Sequence, residues 1–171
     1  EQDAMLQRQL SDIQQGIEAS IADIRRVIYA LRPPSLDEYG LAFALRELSA
    51  SFNQSGVQIV LELAADLTGL PAAVEAAAFR IAQEAVANAV RHGRASHCVI
   101  ACRIDQGIWL SITDNGTGLV EPVVYGIGIR SMQERAEELG GSLELRSEEG
   151  DGLTVRVYIP VNEEASNHDT G

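Results

Sequence analysis

The stretch D-N-G-T-G-L-V-E-P-V-V-Y-G-I-G-I-R-S-M, residues 114–132, decides the fold. Immediately before it, Ile108, Leu110 and Ile112 alternate with Trp109, Ser111 and Thr113, the period of a strand with one buried face, and Asp114 is next on that face. A carboxylate delivered to the core side needs a partner. Gly116 and Gly118 permit positive φ and close backbone approach, so Asp114 is free to accept hydrogen bonds from a bound group such as an amino-purine. Gly126 and Gly128 precede a helical period over Ile129–Leu139, and exposed N–H groups at a helix start suit a polyphosphate. Taken singly, either glycine cluster reads as a tight turn.

Working outward, the segment Ala72–His92 reads as a helix opened by Pro71. Ala78, Ile81, Ala82, Ala85, Val86 and Ala89 form its apolar face, and the small alanines allow close approach to a sheet. Glu84, Asn88 and Arg91 stack at i, i+4 and i+7, with His92 beside them. Such an array is equally a solvated face. Glu and Asn one turn apart also suit a hydrated divalent metal, the amide oxygen binding Mg²⁺ while the carboxylate orients a water or a proton.

The remaining pattern is compact. Strands are predicted over Val57–Leu63, Cys98–Ile104, Ile108–Asp114, Leu143–Leu145 and Leu153–Ile159, with a short helix over Gly40–Ser51 after a cap region at Ser35–Glu38. The expected class is α+β, a two-layer sandwich of helices on an antiparallel sheet. Residues 1–31 carry Leu6, Leu10, Ile13, Ile17, Ile21, Ile24, Ile28 and Leu31 at threes and fours, a long amphipathic helix that needs a partner helix and that Pro33-Pro34 stops. Residues 162–171 are polar and expected to be disordered.

Composition narrows the function classes. The 171 residues carry a net charge of −12 with only 13 Lys and Arg, so no nucleic-acid partner is expected. No run of about 18 apolar residues and no signal-peptide pattern is found, so no membrane segment is expected. Cys98 and Cys102 share a strand face with Ile100 and Ile104 and read as reduced core residues of a cytoplasmic protein.

Glu84-x-x-x-Asn88, Asp114-x-Gly116-x-Gly118 and Gly126-x-Gly128 together resemble the asparagine and glycine boxes of the ATP-binding domain shared by histidine kinases, gyrase, a heat-shock chaperone and mismatch-repair proteins. Within that superfamily, residues 21–41 (I-A-D-I-R-R-V-I-Y-A-L-R-P-P-S-L-D-E-Y-G-L) and 126–141 (G-I-G-I-R-S-M-Q-E-R-A-E-E-L-G-G) resemble the nitrate-sensor type of two-component sensor histidine kinase. The resemblance covers residues 1 to about 161. It implies a Bergerat-type ATP-binding fold over 35–161, preceded at 1–34 by the second helix of a dimerisation and phosphoacceptor hairpin. It implies Mg²⁺ on Asn88, Glu84 as base or polarising group, Arg91 and His92 on phosphates or ribose, Asp114 on the adenine amine with Gly116 and Gly118 shaping that pocket, and Gly126 and Gly128 closing on the phosphates. It further implies ATP and Mg²⁺ as cofactors, a response regulator as partner, and a homodimer in the intact protein.

Two departures follow from the same resemblance. Its members usually open the last strand with Gly-Thr, whereas Leu153 follows Gly152 here and Thr154 falls on the opposite face. The phosphoacceptor histidine, expected in a motif like L-H-D on the first hairpin helix, is matched by none of His92, His97 and His168. The expected activity is therefore donation of the γ-phosphoryl of ATP to a histidine on another helix. The alternatives are a nucleotide-sensing or regulator-docking module with little kinase activity, or an anti-sigma-factor-type serine kinase.

Overall fold

The computed structural model describes residues 33–54, 56–119, 126–147 and 152–161. The amphipathic segment 1–31 and the tail 162–171 lie outside the described residues, as does the expectation made for each. Residues from Ser35 onward form a unit separate from the N-terminal segment.

Among the described residues three helices and five strands follow in the order α1 (Pro34–Asn53), β1 (Gln58–Leu63), α2 (Ala72–Arg91), β2 (His97–Ile104), β3 (Gly107–Asp114), α3 (Ile127–Glu137), β4 (Ser142–Ser147) and β5 (Leu153–Pro160). The sheet order is β1-β2-β3-β5-β4. The α+β two-layer class holds, but the sheet is mixed, not purely antiparallel. β1 runs parallel to β2, with Ile59 opposite Cys98, while the other three pairings are antiparallel. The cause is α2, whose 20 residues carry the chain back to the end from which β1 started. Strand alternation reveals a buried face and says nothing of direction.

The helices α1, α2 and α3 contribute to one core with the inward face of the sheet. Ile81, Ala82 and Val86 of α2 meet Cys98 and Ile100 of β2 and Ile108 and Ile112 of β3, each essentially excluded from water. Cys98 and Cys102 are free and buried, and burial pushes their thiols up to about 11 and about 12. Asp114 across the β2–β3 pairing adds a smaller upward push at Cys98. Alkylation of the folded protein at pH 8 is expected to be at least about 100-fold slower than in denaturant, because the thiolate is the nucleophile. Mass spectrometry with and without denaturant checks this, and comparable rates would place these thiols outside the core. Ile104, expected on the same buried face, is 37% exposed because it ends the strand beside the Asp105–Gly107 turn.

The first helix starts earlier than the sequence period suggests and is broken at Gly40, whose φ of 76° and ψ of −179° interrupt it. The break frees the Leu41 N–H, which donates to Glu75 Oε1 of α2 at 3.3 Å. Further along, the Ser49 hydroxyl donates to the Ile59 carbonyl (3.2 Å) and the Ile59 N–H donates to Asn53 Oδ1 (2.7 Å). These two side chains satisfy backbone groups on the outer side of β1, an edge strand that would otherwise offer them to another chain.

Candidate active site

The second helix is positioned by its alanine face, and that packing turns the opposite flank toward the start of α3. Gly128 shows how close the approach is. A Cβ there would collide with Glu84 Oε1 and lie 3.1 Å from Asn88 Nδ2. Gly128 is in the first turn of α3, not ahead of it as the period suggests, and Gly126 is the N-cap with extended backbone (φ −69°, ψ 173°) and no side-chain cap. The first N–H groups of α3 are thus left for a ligand.

The last residue of β3, Asp114, is 8% exposed although charged. Its Oδ1 accepts the Gly116 N–H at 2.7 Å and the Leu153 N–H at 3.4 Å, which leaves Oδ2 as the acceptor for a ligand. Burial raises the carboxyl above the ordinary aspartate range, partly offset by the N–H groups of Gly116 and then Leu153. The loop after it is pinned on several sides. Asn115 Oδ1 accepts the N–H groups of Ser96 and His97, and the Thr117 N–H donates to the Gly93 carbonyl at 2.9 Å. The Ser147 hydroxyl accepts from the Leu119 N–H and donates to the Gly152 carbonyl, both at 2.8 Å.

These elements enclose one cavity of about 720 Å³. Glu84, Asn88, Arg91, His92, Asp114, Gly118, Gly126 and Gly128 all line it. Gly116 does not line it; its N–H holds Asp114 from behind, and a Cβ there would sit 2.5 Å from the Gly93 carbonyl oxygen. The same walls include Leu153, noted from the sequence as a departure, and Arg80, Gln83, Ser131, Met132, Arg135 and Val155, none singled out by sequence reasoning. For Arg80 a signal existed, since it lies four residues before Glu84 on the same flank. Leu153 faces the cavity while Thr154 bonds Thr113 across the other sheet face at 3.1 Å, as strand alternation requires.

Among the described residues no three His, Cys, Asp or Glu side chains cluster to hold a metal ion. A cation here would be bound by an amide or carboxylate oxygen plus oxygens brought by a ligand, the pattern that suits Mg²⁺ with phosphates.

A buried acceptor at one end, a Glu–Asn line in the middle and a helix start facing both define a nucleotide-binding two-layer sandwich. Comparison places it in a family. The family described as Histidine kinase-, DNA gyrase B-, and HSP90-like ATPase matches residues 73–163, and the chain belongs to it. It is an ATP-binding domain. The chain is 31% identical over 161 residues to the signal transduction histidine-protein kinase/phosphatase DegS of Brevibacillus brevis, covering 92% of this chain and 42% of that protein. It is 35% identical over 142 residues to the sensor histidine kinase LiaS of Bacillus subtilis strain 168, covering 81% and 39%. The chain thus spans about two fifths of these curated relatives. In fold it is similar to the histidine kinase AdeS of Acinetobacter baumannii, with a TM-score of 0.60, 16% identity and coverage of 87% and 84%. The histidine kinase domain of the blue-light activated kinase EL346 of Erythrobacter litoralis also gives 0.60, at 20% identity with 71% and 60% covered. Among the described residues no helix is long and apolar enough to cross a membrane.

Proposed function

We infer that this chain is the ATP-binding catalytic part of a two-component sensor histidine kinase, which donates the γ-phosphoryl of ATP to a histidine on a helix outside these residues. The observation that carries the reading is the single cavity joining Asp114 to the Glu84–Asn88 flank and the start of α3. The adenine amine would donate to Asp114 Oδ2, and the phosphates would lie against the N–H groups opened by Gly126 and Gly128. Asn88 would ligate Mg²⁺, which when bound neutralises phosphate charge. Glu84, one turn away, would accept a proton from the incoming imidazole or order a water around the phosphates. Arg91 and His92 would contact phosphate or ribose. With the reacting groups held in line, positioning and charge stabilisation supply the catalysis.

The relatives named as histidine kinases and the motif over residues 126–141 support this reading and its nitrate-sensor subtype. A response regulator would then receive the phosphoryl group, and the intact protein would act as a homodimer in the cytoplasm. Leu153 on the cavity wall favours a second reading, a nucleotide-sensing module with weak kinase activity.

The test is calorimetric titration of the chain with AMP-PNP, with and without Mg²⁺, beside Asn88→Ala. Binding is expected to tighten about tenfold or more with the metal, and Asn88→Ala to remove most of that gain. A metal-independent affinity, or no binding at millimolar AMP-PNP, would overturn the catalytic reading.

A further inference from the structure

The cavity has a polarity along α2. The Asp114 loop abuts the C-terminal end of that helix, where the Thr117 N–H reaches the Gly93 carbonyl. Moving toward the N-terminus from there, the same flank presents Asn88, Glu84 and then Arg80. Arg80 lies about 6 Å along the axis beyond Glu84 and about 12 Å beyond Asn88. The third helix runs the opposite way over this stretch. Its Gly128 sits against Glu84 and Asn88, and seven residues further, about 10 Å on, Arg135 comes close enough for its charge to act on Arg80. Two arginines from two helices therefore line the same cavity, on the side of Glu84 away from Asn88.

Neither arginine is held in an ion pair among the described residues. Among the described residues the ion pairs are Arg103–Asp105 and Arg146–Glu144, both elsewhere. The only hydrogen bond of Arg80 among the described residues is to a neutral amide, Gln83 Oε1, at 3.0 Å, and Arg80 is half-buried. In a chain of net charge −12, two arginines that line one cavity with no ion pair among the described residues leave a place for an anion. The like charge bears on Arg80, which is held below the ordinary guanidinium range by burial and then by Arg135. A multiply charged oxyanion between the two groups would relieve that repulsion and accept paired N–H donors.

We propose that Arg80 and Arg135 together bind the terminal phosphate of the nucleotide, so that the cavity selects a triphosphate over a diphosphate. This rests on the reading of the cavity as an ATP site. A nucleotide with its base at Asp114 and its middle phosphates at Asn88 extends toward Glu84 and then toward this pair. Neither residue is a catalytic base; both position the phosphoryl group that leaves.

The test titrates the full 171-residue chain with Mg²⁺–AMP-PNP and with Mg²⁺–ADP, for the wild type, Arg80→Gln, Arg135→Gln and the two Lys variants. Each Gln variant is expected to lose about tenfold for AMP-PNP and less than about twofold for ADP. The Lys variants should recover part of the loss, because charge remains while the paired donors do not. Melting of the nucleotide-free protein separates this from a structural role: removing one of two repelling charges should leave the melting temperature unchanged or higher. Equal losses for both nucleotides, no loss for either, or a lowered melting temperature with both affinities reduced would each overturn the proposal. If the wild type binds neither nucleotide, the ATP-site reading falls with it. If the wild type binds both and the variants match it, only the arginine assignment falls.

Discussion

Asp114→Asn is expected to cost roughly 100-fold in affinity for an adenine nucleotide, about 3 kcal/mol, while leaving the empty protein as stable as before or more so. The reasoning starts from which oxygen is free. Gly116 and Leu153 both donate to Oδ1, so an asparagine keeps its carbonyl oxygen there and turns its NH₂ toward the cavity. A donor then faces the donor of the adenine amine. The stability half follows from the raised carboxyl. Because the folded state holds the proton more tightly than the unfolded chain, stability is greatest below the ordinary aspartate value. It declines as pH rises from that value through the folded one, where the native state must ionise a buried group. Asp114→Asn removes that decline. Calorimetric titration and thermal melts between pH 3 and pH 8, the range in which carboxylates titrate, read the two halves separately. A variant that binds normally would remove Asp114 from base recognition, and one that melts lower at neutral pH would mean the charge stabilises the empty fold.

The second large effect lies across the same carboxylate. Gly152 has φ of 77° and opens β5 directly against the end of β3. A Cβ there would collide with the Asp114 carbonyl oxygen and sit 2.8 Å from its carbon and 3.2 Å from Asn115 Cα. These are backbone atoms inside a paired sheet, so no side-chain rotation relieves the clash. Gly152→Ala should lose about 1–2 kcal/mol to the left-handed backbone and about 1–3 kcal/mol to overpacking. That is a large fraction of the 5–15 kcal/mol typical of a domain. The denaturant midpoint should fall accordingly, and the Leu153 N–H should be displaced from Asp114, weakening nucleotide binding in the protein that stays folded. An unchanged midpoint would mean that this corner of the sheet yields more easily than its packing implies.

How much was legible in the sequence depended on how local the cause was. The alternation Ile108-Leu110-Ile112-Asp114 needs no distant information, and the strand, its buried face and the buried carboxylate all stand as read. The alanine face of α2 is equally local, and every residue assigned to it is buried. Long-range causes were invisible. Nothing within residues 34–53 announces that Glu75 compensates a break at Gly40, so the first helix was read as starting at the glycine that interrupts it. The parallel pairing of β1 and β2 is set by where α2 returns the chain. Ser147, a polar residue at a strand end, gave no sign of bridging the Gly118 loop to the start of β5. Arg80 and Arg135 were not singled out, because what brings them to one cavity is the packing of two helices. The glycine boxes were legible as a set because each spacing constrains the others, while the placement of Gly128 within α3 was not, since a helix period does not mark its own first turn.

The carboxylate that ends β3 also bears on selectivity. Asp114 is the fourth member of a row whose other three, Ile108, Leu110 and Ile112, are almost wholly buried. Its backbone is paired with β2 and flanked by the start of β5. The acceptor at the bottom of the cavity is preorganised: it has the rigidity of the core, and a ligand spends little entropy ordering it. On the proposed reading, a guanine would bring its carbonyl to the place where adenine brings its amine, setting oxygen against oxygen. A loop could yield to such a mismatch, but a strand clamped on both sides cannot, so preference for adenine would be written into the sheet itself.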